Sequence, residues 1–358
     1  MLGRLNPHEK SHRMSVFRTA TRKRVARVKR DLHIARVMLF GMLSTRRPLL
    51  VHIIPMRRCN LACAYCNEYD KVSKPVPVEE MLQRIGRLAS FGTAIITISG
   101  GEPLMHPDLD QIVAYIRRRG IVAGLLTNGY LLTEQRIKGL NAAGLEFLQI
   151  SIDNVSPDEV SMKSLKVLDQ KLVLLARFAE FGVNINSVIG SGINHPEDAL
   201  VIARRGSELG FTTSVGIVHN ANGRLKPLSK LEQGIYRTIK NIRTEGFGLL
   251  DRFEENLVQG KPNEWRCRAG ARYLYIDENG LVHYCSQQRG YPAVPLHVYS
   301  QQDIRREYFT KKACAPYCTI GCVQRVSEFD RWRHPQALDS VVPDSATSGG
   351  PYDPGDTL

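Results

Sequence analysis

Between Leu50 and Val218 the chain alternates six short apolar runs with five longer amphipathic stretches, and this alternation restricts the fold more than any other feature. Short apolar runs bury both faces of a strand, and a helix between each pair brings the chain back so that the strands lie parallel. Strands are predicted over 50–55, 94–99, 121–127, 147–152, 183–189 and 212–218, with helices over 78–91, 108–119, 133–143, 166–181 and 197–209. Gly92, Gly120, Gly144, Gly182 and Gly210 each follow a helical stretch where a left-handed cap is wanted. The chain is therefore α/β, either a partial barrel or an open doubly wound sheet. Periodicity does not choose between them.

At 358 residues and 43% hydrophobic, the chain can bury one large core, or one core and a small satellite. Its net charge of +14 is concentrated at one end, because residues 1–48 hold 13 Lys/Arg against only Glu9 and Asp31. The body is close to neutral, and nucleic acid is not an expected partner. Val16, Val25, Val28, Leu32, Ala35, Leu39 and Leu43 recur at near-helical spacing. They predict a basic amphipathic helix over 14–45 that lies across the body with its charges in water. The alternatives are contact with an anionic membrane surface through residues 1–48 and, after it, docking of a partner or RNA. The apolar run 34–43 is interrupted by Arg36 and is about half the length of a membrane span, so neither a signal peptide nor a transmembrane helix is expected. The expected location is the cytoplasm, with peripheral contact at the inner membrane surface as the variant of that expectation.

The eight cysteines fall in tight groups, 59, 63, 66 and 314, 318, 322, with Cys267 and Cys285 between them. Such grouping suits shared metals better than mutual disulfides. Cys59, Cys63 and Cys66 follow the first predicted strand in the order C-x3-C-x2-C. Three thiolates on one loop can hold three corners of a cubane and leave one iron open. Zinc is the competing occupant, although it prefers a closed tetrahedron and paired C-x2-C knuckles.

Further along, each strand of the series ends in small or polar residues. Ser99-Gly100-Gly101-Glu102-Pro103 closes the second, with two glycines that let backbone approach a ligand and a carboxylate at the strand end. Thr127-Asn128-Gly129 closes the third and Ser151-Ile152-Asp153 the fourth. Parallel strands place their sites at this rim. His52 and His106 are read as packed or surface residues with no role.

CNLACAYC, GGEP, TNG and SID in this order and spacing resemble the radical S-adenosylmethionine (SAM) superfamily over roughly residues 50–218. The resemblance implies a partial (β/α)6 TIM-like barrel and a [4Fe–4S] cluster on Cys59, Cys63 and Cys66. It also implies that the open iron chelates the methionine moiety of SAM, which is then cleaved to a 5′-deoxyadenosyl radical. Gly100, Gly101 and Glu102 would engage the methionine amino group, Tyr65 would flank the adenine, and Ser151 or Asp153 would lie near the ribose, with Asn128 on the same rim. An external electron donor such as flavodoxin or ferredoxin is implied as well. Where many members carry G-x-I-x-G-x-x-E on the fifth strand, this chain reads Val188-Ile189-Gly190-Ser191-Gly192-Ile193-Asn194, which puts adenine contacts from that strand in doubt.

Cys267 and Cys285 frame a C-x12-G-x4-C segment in which Asp277 to Gly280 would turn a hairpin. This segment resembles the opening of the SPASM and twitch extensions, which hold auxiliary [4Fe–4S] clusters. Cys314, Cys318 and Cys322 run C-x3-C-x3-C, unlike a full SPASM domain, so one auxiliary cluster is expected, on Cys267, Cys285 and two or three of the later trio. A structural zinc site is the alternative. Tyr273, Tyr275, His283 and Tyr284 around the hairpin are read as core residues, with the lining of a substrate cavity as the other reading. The expected division is a basic segment 1–48, a barrel 49–228, a linker helix and cluster-binding extension 229–333, and a disordered tail 334–358 rich in Pro, Gly, Ser and Asp. The expected activity is radical modification of a peptide or protein. The alternatives are oxidation or modification of a small molecule or lipid, and a non-catalytic iron–sulfur protein that carries electrons.

Overall fold

The computed structural model describes residues 7–190, 192–218, 227–242 and 248–333. A long helix α1 (Pro7–Met42) precedes the repeating part: β1 (Leu50–Ile53), α2 (Val78–Ser90), β2 (Ile95–Ile98), α3 (Leu109–Arg118), β3 (Val122–Thr127), α4 (Glu134–Ala143), β4 (Phe147–Ser151), α5 (Leu165–Phe178), β5 (Gly182–Gly190), α6 (Asp198–Glu208) and β6 (Thr212–Val218). These six strands pair in sequence order, and every pairing is parallel. That order decides what periodicity left open. A doubly wound sheet reverses direction at an internal strand, whereas steady progression with right-handed crossovers puts every helix on one face and curls the sheet into a partial barrel. The main apolar core accordingly lies between the outer face and the helices, from Val51 and Ile53 through Ile96, Leu125, Leu148 and Ile150 to Leu168 and Leu172.

Four of the five expected glycine caps adopt positive φ: Gly92, Gly120, Gly144 and Gly210. Gly182 does not. Helix α5 stops at Phe178 with Ala179 extended, and Gly182 opens β5, where a side chain would press on Arg30 of α1.

Helix α1 closes the floor of the barrel, at the N-terminal ends of the strands. Gly41 crosses where a Cβ would overlap Leu49, just before β1, and would touch Ala94, just before β2. His33 bonds the Gly120 carbonyl below β3 (3.2 Å) and the Glu146 carboxylate below β4 (2.8 Å), and Lys23 reaches the Ala176 carbonyl at 2.5 Å. The face turned to the body carries Ala26, Arg30, His33, Ile34, Val37 and Gly41. The apolar stripe expected to rest on the body faces outward instead, with Val25, Val28, Leu32, Leu39 and Leu43 between 48% and 68% exposed. Docking here relies on polar bonds to strand-end carbonyls and on small residues at the crossing. Apolar periodicity therefore marked the wrong face.

After α7 (Lys230–Ile242) and α8 (Gly248–Val258), the chain returns to the barrel. β7 (Tyr273–Ile276) pairs parallel with β1, and β8 (Leu281–His283) and β9 (Pro292–Pro295) continue antiparallel, so the expected hairpin extends the barrel sheet at its open edge. Asp277 shapes the turn by accepting from Asn279 N (3.0 Å) and Leu281 N (2.8 Å). Helices α9 (Gln301–Phe309) and α10 (Gly321–Glu328) follow. The wholly buried Arg272 ties the pieces together: its guanidinium donates to the carbonyls of Gly41 (3.0 Å), Ser44 (2.6 Å) and Arg47 (2.5 Å), and its Nε lies 2.7 Å from Asp330. The expected tail at 334–358 lies outside the described residues.

Candidate functional site

The segment between β1 and α2 folds back on itself at the C-terminal rim. Cys59 N donates to Asp70 O (3.1 Å) and Asp70 N to Arg57 O (2.9 Å), closing the loop at its neck. Lys71 Nζ straps its first turn through the carbonyls of Cys59 (3.2 Å) and Leu61 (2.8 Å). With the backbone held by its own bonds, the side chains of Cys59, Cys63 and Cys66 are left for other work. The Leu61 amide points at Cys59 Sγ (3.4 Å) and the Glu68 amide at Cys66, an i to i+2 arrangement that stabilises thiolate. Burial pushes both thiols up without a metal. Ligation must therefore expel protons.

The glycines of GGEP serve this loop directly. A Cβ on Gly101 would overlap the carbonyls of Arg57 and Arg58, and one on Gly100 would lie 2.7 Å from Met56 O. Their closest neighbour is thus the chain leading into the first cysteine, a backbone approach that sequence reading had reserved for a ligand. Glu102 is fully buried, and its carboxylate accepts from Leu104 N (2.9 Å), Thr127 Oγ1 (2.7 Å) and Asn128 N (2.8 Å). Burial raises its pKa, and these donors pull it back. Asn128 in turn donates to Asn60 Oδ1 (2.8 Å) and faces Cys59 Sγ at 3.7 Å. Glu102 and Asn128 therefore join the ends of β2 and β3 to the cysteine loop.

On the other side of the loop, Tyr65 donates to Asp153 Oδ2, which also accepts from Ser161 Oγ (2.6 Å) and lies 3.0 Å from Lys163 Nζ. Lys163 donates to the Tyr65 hydroxyl at 2.5 Å and sits over its ring, and Ser161 Oγ is 3.5 Å from Cys63 Sγ. Burial alone would lower the Lys163 pKa, but Asp153, Tyr65 and Cys63 outweigh it, so the ammonium is held charged. Asp153 Oδ1 is buried without a hydrogen-bond partner among the described residues. An unpaired buried carboxylate oxygen beside three thiols is a place for a ligand that donates hydrogen bonds. Ser151 ends β4 half-buried on the same rim. Sequence reading missed Lys163 and Ser161, which lie in an irregular loop with no periodicity to mark them.

Among the described residues, no three His, Cys, Asp or Glu side chains converge tightly enough to share one metal ion. A cubane instead places each thiolate on its own iron. The donor chemistry of the loop, three soft thiols with amide donors aimed at two of them, fits such a cluster.

The five later cysteines gather on the inner side of β7. Cys267 and Cys285 are buried in an apolar cluster with Phe253, Trp265, Tyr273 and Val323, and Cys318 and Cys322 pack against it. Trp265 Nε1 donates to Ala315 O (2.6 Å), seating the segment that carries Cys314 and Cys318. Burial raises Cys267 to about 11 and Cys285 to about 12, and raises Cys318 further. Cys314 acts electrostatically on Cys267, Cys285 and Cys318, and Cys322 acts on Cys285 and takes a hydrogen bond from Tyr273. The amides of Ala269, Gln287 and Ile320 point at Cys267, Cys285 and Cys318, repeating the i to i+2 pattern of the first loop.

A polar joint links the two groups. Tyr275, the partner of His52 across β1 and β7, donates to the Glu68 carboxylate (2.7 Å), two residues after Cys66. Arg289 donates to the Tyr275 hydroxyl (3.2 Å) and to Glu278 (2.8 Å). Tyr273, Tyr275 and His283 are buried as expected of core residues, and His106 is buried with Nε2 3.0 Å from Val76 O.

Comparison with known proteins agrees with this geometry. Residues 53–218 match the family model described as the radical SAM superfamily. The core of this chain belongs to that superfamily. The Fe-coproporphyrin III synthase of Methanosarcina barkeri is 35% identical over 133 residues, covering 36% of this chain and 33% of the synthase. The GTP 3′,8-cyclase of Aquifex aeolicus is 34% identical over 192 residues, covering 49% of this chain and 58% of the cyclase. The chain thus spans less than two thirds of either relative. Among solved structures, Streptococcus suis SuiB bound to precursor peptide SuiA superposes with a TM-score of 0.55 at 18% identity, covering 79% of this chain and 71% of SuiB. Native anSMEcpe with bound AdoMet and Cp18Cys peptide superposes with a TM-score of 0.53 at 15% identity, covering 80% and 97%. These structural likenesses establish a shared fold. For that core the superfamily implies a [4Fe–4S] cluster and SAM.

Proposed function

We propose that this chain is a radical SAM enzyme that holds its SAM-binding cluster on Cys59, Cys63 and Cys66 and acts on a peptide or protein substrate. The observation that carries the reading is the strapped loop, which presents three thiols and no fourth at a rim with an unpaired buried carboxylate oxygen. When bound, a [4Fe–4S] cluster with an open iron delivers one electron to SAM and yields methionine and a 5′-deoxyadenosyl radical that abstracts hydrogen from substrate. The chain's own residues orient the co-substrate. Gly100 and Gly101 seat the loop, Glu102 and Asn128 fix its distance from β2 and β3, and the charged Lys163 offers an ammonium to the methionine carboxylate. Asp153 Oδ1 offers an acceptor to a hydroxyl or amino group, and Tyr65 presents an aromatic ring beside it, with Ser151 on the same rim.

Cys267, Cys285, Cys314 and Cys318 are the proposed ligands of an auxiliary [4Fe–4S] cluster, with Cys322 and Tyr273 beside it. Cys267, Cys285 and Cys318 each face an amide donor, and Cys314 acts on all three, whereas Cys322 acts on Cys285 and is held by Tyr273; this supports the assignment over one that uses Cys322. A flavodoxin or ferredoxin is the proposed electron donor. The peptide reading is supported by the extent of the superposition: SuiB with its precursor peptide and anSMEcpe with its peptide match about four-fifths of the chain, including its extension, where the curated relatives match half or less. A small-molecule substrate is the second reading, favoured by the names of those curated relatives.

Anaerobic reconstitution, with iron and sulfide counted, tests the first part. About eight irons per chain and 5′-deoxyadenosine formed on reduction with SAM are expected; zinc in the first loop overturns it. Co-expression with the peptide of a neighbouring short reading frame tests the second, and a mass change in that peptide is expected. No change in any such peptide, together with turnover of a small molecule, favours the second reading.

A further inference from the structure

We infer that the outer face of α1 is a docking surface for an anionic phospholipid bilayer, and that the barrel stands on the membrane by its floor. The apolar stripe of α1 has no cover: Val25, Val28, Leu32, Leu39, Phe40 and Leu43 are each about half exposed or more, on a helix whose opposite face is occupied by the barrel. Arg24, Arg27, Lys29 and Arg36 are exposed between these residues, and Asp31 is already met by Arg27 and Arg30. An apolar stripe set among cations suits the boundary of a negatively charged bilayer, where the stripe enters the acyl edge and the guanidiniums meet phosphate.

Two further features lie on the same side. A cavity of about 230 Å³ opens beside α1, lined by His33, Arg36, Val37, Phe40 and Arg119. Two guanidiniums behind an exposed phenylalanine are suited to a lipid phosphate with its glycerol. Trp332, 69% exposed, precedes Arg333, whose guanidinium donates to Met42 O at the end of α1, so an aromatic anchor stands where the helix stops. A second copy of this chain is a poorer occupant, since it would bring a like-charged helix against this one. No helix among the described residues is long and apolar enough to cross a membrane, so the contact is peripheral.

The placement has a consequence for access. Helix α1 lies under the N-terminal ends of the strands and the cysteine loop above their C-terminal ends. Strands of four to nine residues, at about 3.3 Å per residue, keep the site on the order of 13–30 Å above the bilayer, opening to water. The membrane tethers the enzyme and does not feed its site.

The test is flotation of the full-length, metal-loaded protein with vesicles of phosphatidylglycerol and phosphatidylcholine, or of phosphatidylcholine alone, beside a variant carrying Leu32→Glu and Leu39→Glu. Both positions are exposed and remote from the site, so folding and SAM cleavage should be unchanged. Binding to the phosphatidylglycerol vesicles is expected, weakened at least tenfold in the variant and by 0.5 M salt, as is little binding to phosphatidylcholine alone. Three results overturn the inference: no binding by the parent protein, equal binding by the variant, or a parent dimer that the variant converts to monomer, which would assign the stripe to a second copy. None of these readouts depends on the chemistry at the rim.

Discussion

The two cysteine groups are built on opposite principles. The first sits on a loop whose backbone is tied by Asp70 and Lys71, among polar partners that reach in from three strand ends. The second, apart from the exposed Cys314, is sunk in an apolar pocket walled by Phe253, Trp265 and Tyr273, and it has more thiols than a cubane needs. Polar partners with unsatisfied valence suit a cluster that must bind and release a charged co-substrate. An apolar wall suits a cluster that stays put. The contrast shows that cysteine spacing alone says little about what a cluster does, and that the groups facing it say more.

Removing one candidate ligand from the second group should break the comparison most visibly. Cys314→Ser is expected to lower the iron content from about eight to about four per chain, while Cys322→Ser keeps both clusters; anaerobic iron analysis reads the difference. The reverse pattern would move the ligand set to Cys322. At the first group, Lys163→Met leaves Asp153 buried without its cation. It should weaken SAM binding about 100-fold, or about 2.7 kcal/mol, with Lys163→Arg recovering part of the loss. Isothermal titration on the reconstituted protein measures it, and unchanged affinity would reduce Lys163 to a structural part.

The effect of acid on the barrel interior should be smaller. Burial lowers His52 to about 4, so its folded form resists protonation. A base with a depressed folded pKa contributes stability that is present above its unfolded pKa of about 6.5 and is lost as pH falls toward 4. Because the ring is only partly enclosed, about 2 kcal/mol should disappear over that window, and a His52→Phe variant should lack this component. Urea midpoints at pH 7 and pH 4.5 compare the two. The joint between the groups should respond least. Tyr275→Phe strips the half-buried Glu68 carboxylate of its hydroxyl donor and should cost about 1 kcal/mol in urea unfolding.

How much of this was legible depended on range. All six barrel strands and the order of the rim motifs follow from local pattern, since apolar runs and left-handed glycines act within a few residues of themselves. Gly182 was misread because a glycine after a helix and a glycine that lets a strand pass under Arg30 look alike in one dimension. The stripe of α1 was assigned to the wrong face because periodicity cannot tell a face buried in protein from one held ready for something else. Lys163, Ser161 and Glu68 carry no pattern; they become functional only when loops far apart in sequence meet at the rim. The pairing of β7 with β1 was equally hidden, being a contact across more than 200 residues.

The account stands on an iron corner left free by Cys59, Cys63 and Cys66. Mössbauer spectroscopy of iron-57-loaded protein, in a Cys267→Ala/Cys285→Ala background that lacks the second cluster, tests this most directly. One iron in four should shift its signal when SAM is added, and the other three should not. Four irons indifferent to SAM, or a loop filled by zinc, would contradict it.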